Sequence, residues 1–244
     1  MKALSKCVVL DPWTGAQAPM PQTRAWPAPA KSYNDRNTAL HPYIDTFVIH
    51  ATSGSNSSGA MSVAQAGTAS WHWLIPDENE EAHGKYLWSC VLEEKKAWHV
   101  LKKLAAPWDG KIDTNSRSLG VEIVNAQTDK DPFSDWQVKV LADLVNYARS
   151  RYSRLRYLVT HAYLDPGRKL DPGSLFPWDK FLWLLHEGAV AAQKRDVYLP
   201  TWLPFKPLLL DRATGKTYEL QVAKGGLGDH RADTGRVYFE IREG

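Results

Sequence analysis

The chain has 244 residues, enough for one sizeable α/β domain with a small appendage, and 43% of them are hydrophobic, which excludes global disorder. A formal net charge of +3 suits an anionic polymer but is too small to indicate nucleic acid. Cys7 and Cys90, the two cysteines, stand in no ligand spacing, so no disulfide framework is indicated and a reducing compartment is expected.

Residues 1–42 hold six prolines and little periodicity, and are expected to form an irregular Pro-rich arm laid over the domain. The apolar run from Cys7 to Leu10 is too short for a signal-peptide core, and no other segment could span a membrane. Cytoplasmic synthesis without a signal peptide, and no membrane insertion, are therefore expected. Thr46 to His50 (TFVIH) is a short apolar run with β-branched residues, which predicts a buried strand. Ser53 to Gly59 (SGSNSSG) reads as a flexible loop. Trp71 to Ile75, Tyr86 to Leu92 and Ser118 to Val124 read as three further strands.

Ser134 followed three residues later by Gln137 is a capping-box pattern. The helix that it opens carries Val138, Leu141, Leu144, Val145, Ala148 and Tyr152 at helical spacing. Tyr157 to Thr160 (YLVT) is the next strand and ends at His161. Pro177 suits the first turn of a helix with Phe181, Leu182 and Leu185 on its apolar side. From residue 196 the pattern changes: Leu208 to Asp211, Ala213 to Lys216 and Tyr218 to Val222 read as a hairpin, and Arg236 to Arg242 alternates like a strand. The expected fold is α/β, a central mixed β-sheet with helices on both faces and a small β-rich C-terminal extension. Its divisions are the arm at 1–42, a catalytic domain at 43–195 and the β-rich unit at 196–244.

Two histidines end apolar strands. His50 closes TFVIH and His161 follows YLVT; Asp171 comes ten residues after His161. Strand ends are where open α/β sheets place ligands, and two imidazoles with one carboxylate suit a tetrahedral zinc site whose fourth position is open to water. Such a site serves hydrolysis, because the ion activates water and polarises a carbonyl. Eleven tryptophans are many for this length; aromatic faces bind sugar rings, although most such residues are core.

Five ordered elements carry a resemblance: FVIHAT around His50, ASWHWLI around His72, AWHV around His99, NSRSLGVEIVN around Glu122, and THAYLDPGRKLDPG from Thr160 to Gly173. Over about residues 43–187 the chain resembles the type 2 N-acetylmuramoyl-L-alanine amidases, the family that includes the peptidoglycan-recognition proteins. Within that family it is similar to the branch with glutamate and lysine beside the zinc, which includes cytosolic anhydromuropeptide amidases. The resemblance implies one Zn2+ on His50, His161 and Asp171, Glu122 as general base, and Lys169 stabilising negative charge on the tetrahedral intermediate. It implies cleavage of the amide between the lactyl group of N-acetylmuramic acid and L-alanine, with peptidoglycan or muropeptide fragments as partners. His99, Trp98 and Trp71 are expected to line the substrate cleft. Trp71 stands where other branches have tyrosine; an indole cannot handle a proton as a phenol does, which shifts that burden to Glu122 and Lys169. His72 stays open between supporting the site and a purely structural role.

Three settings fit: a phage endolysin, a cytosolic recycler of anhydromuropeptides, or a delivered effector. The arm and the β-rich tail, itself a wall-binding module or packing for the catalytic domain, favour an endolysin or related wall hydrolase. The alternatives are the recycler and a non-catalytic muropeptide-binding module.

Overall fold

The computed structural model describes residues 6–13 and 16–193, and beyond them three strands at 208–210, 217–222 and 239–242. Its main sheet has seven strands. β1 (Cys7–Val9) and β2 (Thr23–Ala25) are the two edges, and between them run β4 (Thr46–Ala51), β5 (Trp73–Ile75), β6 (Leu87–Ser89), β8 (Ser118–Ile123) and β9 (Tyr157–Thr160). The order is β1-β9-β4-β8-β5-β6-β2. β9, β4, β8 and β5 are mutually parallel, whereas β1 on β9 and β6 on β5 are antiparallel, so the sheet is mixed as the sequence predicts. A separate ribbon pairs β3 (Tyr33–Asp35) with β7 (Lys95–Ala97).

The segment expected to be an irregular arm thus supplies both edges of the sheet and one strand of the ribbon. Three-residue strands held by backbone pairing have no side-chain period to betray them, and prolines are tolerated beside edge strands. Arg36 fastens the same segment: its guanidinium donates to the carbonyls of Glu93, Asn115 and Ser118.

Period two sorts the central strands. Phe47, Ile49, Leu119, Val121, Ile123, Trp73 and Ile75 fill one face and form the main core with α2 (Asp135–Arg151) and α4 (Trp178–Gln193). The capping box on α2 is formed: Ser134 Oγ accepts from the Gln137 amide at 3.1 Å, and Gln137 Oε1 accepts from the Ser134 amide at 3.1 Å. The Pro177 carbonyl accepts from the Phe181 amide and so opens α4, which runs through Gly188.

Opposite lies α1 (Ser57–Ala66), which turns Ala60, Met61 and Ala64 onto Leu74 and Cys90. The predicted loop over 53–59 therefore ends in a helix that composition hid. Asn56 caps it by accepting from the Gly59 amide, Glu80 accepts from the Ser57 amide and hydroxyl at its positive end, and Gly67 closes it at φ 79°. α3 (His161–Leu164) is a single turn directly after β9.

The chain divides into two compact units, Met1–Ala192 and Gln193–Gly244. In the second, β10 (Leu208–Leu210), β11 (Thr217–Val222) and β12 (Phe239–Arg242) form an antiparallel sheet in that order. The turn expected at 213–216 lies outside the described residues. No helix among the described residues is long and apolar enough to cross a membrane.

Candidate metal centre

The strand register builds the site. His50 is the penultimate residue of β4 and is paired with Glu122 on β8, so their side chains leave the same face of the sheet at its carboxyl end. β9 runs parallel on the other side of β4, and His161 follows its last residue. Thr160 caps the turn that begins there, accepting from the Tyr163 amide at 3.0 Å. The loop after it folds back because the Asp165 carbonyl accepts from the Arg168 and Lys169 amides. The Asp171 carbonyl then accepts from the Ala162 amide at 3.1 Å, which brings its carboxylate to the histidines.

His50 Nδ1 and His161 Nδ1 are 2.9 Å apart, and Asp171 Oδ2 is 3.1 Å from the latter and 3.3 Å from the former. All three side chains are buried. A tetrahedron with bonds of about 2.0–2.1 Å has edges of roughly 3.3 Å, so these separations fit three zinc donors with one vertex free. Two imidazole lone pairs facing each other beside a carboxylate are also poor company for one another without a cation. The donor set and its spacing therefore fit the ion that the resemblance implies.

Burial, and then the neighbouring His161, lower the His50 imidazole to a pKa of about 4 against the pull of Asp171, so at neutral pH it is an uncharged ring with a lone pair to offer. Burial alone would raise the Asp171 carboxyl, but the His161 and His50 rings beside it outweigh that and hold the group well below the usual carboxylate range. Glu122 is pushed the other way, first by burial and then by the negative charge of Asp171, with Lys169 opposing. A bound cation reverses the sign of the field from the Asp171 side and favours the ionised glutamate. Lys169 is partly buried, and its charge acts on both His50 and Glu122. Arg168 is held on its own loop by Asp165, with Nε 2.7 Å from Oδ2.

The aromatic cleft residues are placed differently from expectation. Trp71 is 4% exposed and packs with Met61, Leu74 and Cys90, so it is core and offers no face to a sugar. Trp98 is half-buried on the ribbon, where its indole donates to Asn34 Oδ1 at 2.8 Å. His99 is buried behind His50, its Nδ1 3.0 Å from His50 Nε2, and does not line an open surface. Spacing alone could not separate a histidine in front of the metal ligands from one behind them. His72 is fully buried; its Nδ1 accepts from the Gly120 amide at 2.9 Å, and its Nε2 lies 2.9 Å from the Arg36 guanidinium and 3.1 Å from the Lys95 carbonyl. It pins β8 to the ribbon. Asn115, Ser118 and Gly120, to which the sequence attached no role, surround His99.

A mixed sheet with helices on both faces and a His–His–Asp group at the carboxyl ends of parallel strands defines an α/β fold that carries a candidate metal centre. Residues 39–174, more than half of the chain, match the family profile described as N-acetylmuramoyl-L-alanine amidase, and the chain belongs to that family. It is 31% identical over 182 residues to the N-acetylmuramoyl-L-alanine amidase AmiD of Escherichia coli (strain K12), a match covering 70% of this chain and 63% of that protein. It is 33% identical over 89 residues to the 1,6-anhydro-N-acetylmuramyl-L-alanine amidase AmpD of Citrobacter freundii, covering 36% of this chain and 45% of that one. The chain thus spans less than two thirds of the length of these curated relatives. Among solved structures, a selenomethionine derivative of AmpD superposes with a TM-score of 0.53 at 24% identity, covering 73% of this chain and 99% of the other. AmpDh3 of Pseudomonas aeruginosa, solved with an anhydromuramic pentapeptide, gives 0.51 at 22% identity, covering 71% and 75%. At these identities the likeness is one of fold.

Proposed function

We propose that this chain is a zinc-dependent N-acetylmuramoyl-L-alanine amidase, and that muropeptide fragments ending in 1,6-anhydromuramic acid are its substrate class. The observation that carries the reading is the convergence of His50 Nδ1, His161 Nδ1 and Asp171 Oδ2 beside Glu122 on the adjacent strand. His50, His161 and Asp171 would hold zinc, which would supply Lewis acidity to the scissile carbonyl and to the attacking water. Glu122 takes the proton of that water and delivers it to the departing alanine nitrogen, as its position beside the triad and its environment-tuned carboxyl suit it to do. Lys169 balances the negative charge that develops on the carbonyl oxygen. The endolysin setting that the arm and tail favour gives way here, because the relatives include proteins named as 1,6-anhydro-N-acetylmuramyl-L-alanine amidases.

Mass spectrometry of products from soluble anhydromuropeptides and from intact sacculi tests both levels. Stem peptides with a free alanine amine should appear, without new reducing sugar ends, and the soluble substrate should be turned over faster. New reducing ends without new amines overturn the amidase; faster release from sacculi overturns the substrate class.

A further inference from the structure

The far side of His50 is as ordered as the side that faces the metal donors. His50 Nε2 lies 3.0 Å from His99 Nδ1, and His99 Nε2 lies 3.1 Å from Ser118 Oγ. The rings of His50 and His99 are nearly perpendicular, at 87°, with centroids 5.1 Å apart. His99 is itself gripped: Asn115 Oδ1 accepts from the Val100 amide at 2.9 Å and from the His99 amide at 3.3 Å, and Asn115 Nδ2 donates to the Val100 carbonyl at 2.7 Å. The strand beneath gives way to the ring. A Cβ on Gly120 would stand 2.7 Å from His99 Cγ and Nδ1, closer than real contacts allow, and Gly120 has no positive φ to explain the glycine otherwise.

We propose that His99 is a positioning residue for the metal centre, accepting from His50 Nε2–H and donating to Ser118, so that His50 keeps the tautomer and ring angle that leave Nδ1 free for zinc. The chain of donors has only one consistent direction. For Nδ1 of a neutral His50 to offer a lone pair, its proton must sit on Nε2. His99 Nδ1 must then accept, which puts the His99 proton on Nε2, where the serine oxygen receives it. Reversing any link puts a proton on His50 Nδ1. The NSRSLG stretch thus serves the ligand of another strand: Asn115 holds the His99 backbone, Ser118 receives its ring proton, and Gly120 leaves the ring its space. Partners of this kind orient ligands and raise their basicity, and their loss costs about 10–100-fold in metal affinity.

This inference rests on the zinc reading above. The test is chelator-competition zinc titration of the purified chain and its variants, with thermal melting of each metal-free form. His99→Phe, which keeps a ring but removes the acceptor, should bind zinc about 10–100-fold more weakly. His99→Asn, whose side-chain oxygen can stand near the Nδ1 position, should recover most of that loss. Ser118→Ala and Gly120→Ala should weaken binding in the same sense, and they decide the matter should the phenylalanine variant not fold. Unchanged affinity in His99→Phe, or equal losses in His99→Phe and His99→Asn, overturns the positioning role. A wild-type chain that binds no zinc removes the metal reading and this one together, whereas wild-type binding with unaffected variants removes this one alone.

Discussion

At the scale of single residues, the carboxyls of Glu122 and Asp171 are driven in opposite directions by one small volume. Asp171 is kept ionised by the two imidazole rings, while burial and the charge of Asp171 hold Glu122 toward its neutral form. Two carboxyls with separated tendencies suit the roles proposed above, Asp171 as a ligand and Glu122 as a proton carrier. Glu122→Gln should therefore leave zinc affinity within a few-fold and lower turnover by about 10²–10⁴, the usual share of a general acid–base. Steady-state rates beside a zinc titration check it, and near-normal turnover would pass the proton to another group. Trp71 behaves as core: Trp71→Ala should cost about 3–5 kcal/mol of folding stability, as for other large buried rings, in denaturant unfolding. The same variant should leave KM unchanged if it folds; a raised KM in a stably folded variant would return Trp71 to the cleft.

Among the elements, what the sequence shows and hides follows from periodicity. The strands carrying His50, Glu122 and His161 are apolar runs buried on both faces, and a buried run announces itself whatever its neighbours are. α2 is legible for the same reason and because its cap is spelled out in four residues. The edges β1 and β2 and the helix α1 are not legible, since their places are set by backbone pairing and by a Ser/Gly-rich segment folding over Met61 and Cys90. In the candidate site the meeting of His50, His161 and Asp171, with Glu122 on the adjacent strand, can be read from motif order. The side on which His99 approaches His50 cannot, because it depends on Ser118 and Gly120, which lie on a strand distant in sequence from His50. The cap offers a direct check at this scale. Ser134 also donates to Glu78 Oε2, so Ser134→Ala removes two interactions of the α2 terminus. It should cost about 0.5–2 kcal/mol in chemical denaturation. Zinc affinity should stay unchanged, because the helix packs on the face away from the triad.

For the molecule as a whole, burial of uncharged histidines sets an acid limit on the metal-free protein. Burial, followed by repulsion from His161, lowers His50 to about 4. Burial, followed by the Arg36 charge, lowers His72 to about 3, and burial followed by the charge of His50 lowers His99 well below the ordinary range. In the unfolded chain each returns to about 6.5. The folded value is the lower one, so between the two values the unfolded state binds more protons and stability falls as pH falls. Each such histidine removes about 1.4 kcal/mol per pH unit once the pH is below about 6.5. Glu122 acts oppositely: its folded value is the higher one, so it takes up a proton in the native state first and offsets part of the loss. Melting temperature in chelator should therefore fall steadily from pH 7 to pH 5, and Glu122→Gln, which lacks the offsetting group, should fall more steeply over the same span. Saturating zinc should raise the curve at neutral pH by about 2.7 kcal/mol at a hundredfold excess over Kd, and by less in acid, where protons compete for the two ligand rings. A flat profile for the metal-free wild type, or a shallower one for Glu122→Gln, would contradict the buried, uncharged state of these rings on which the candidate site depends.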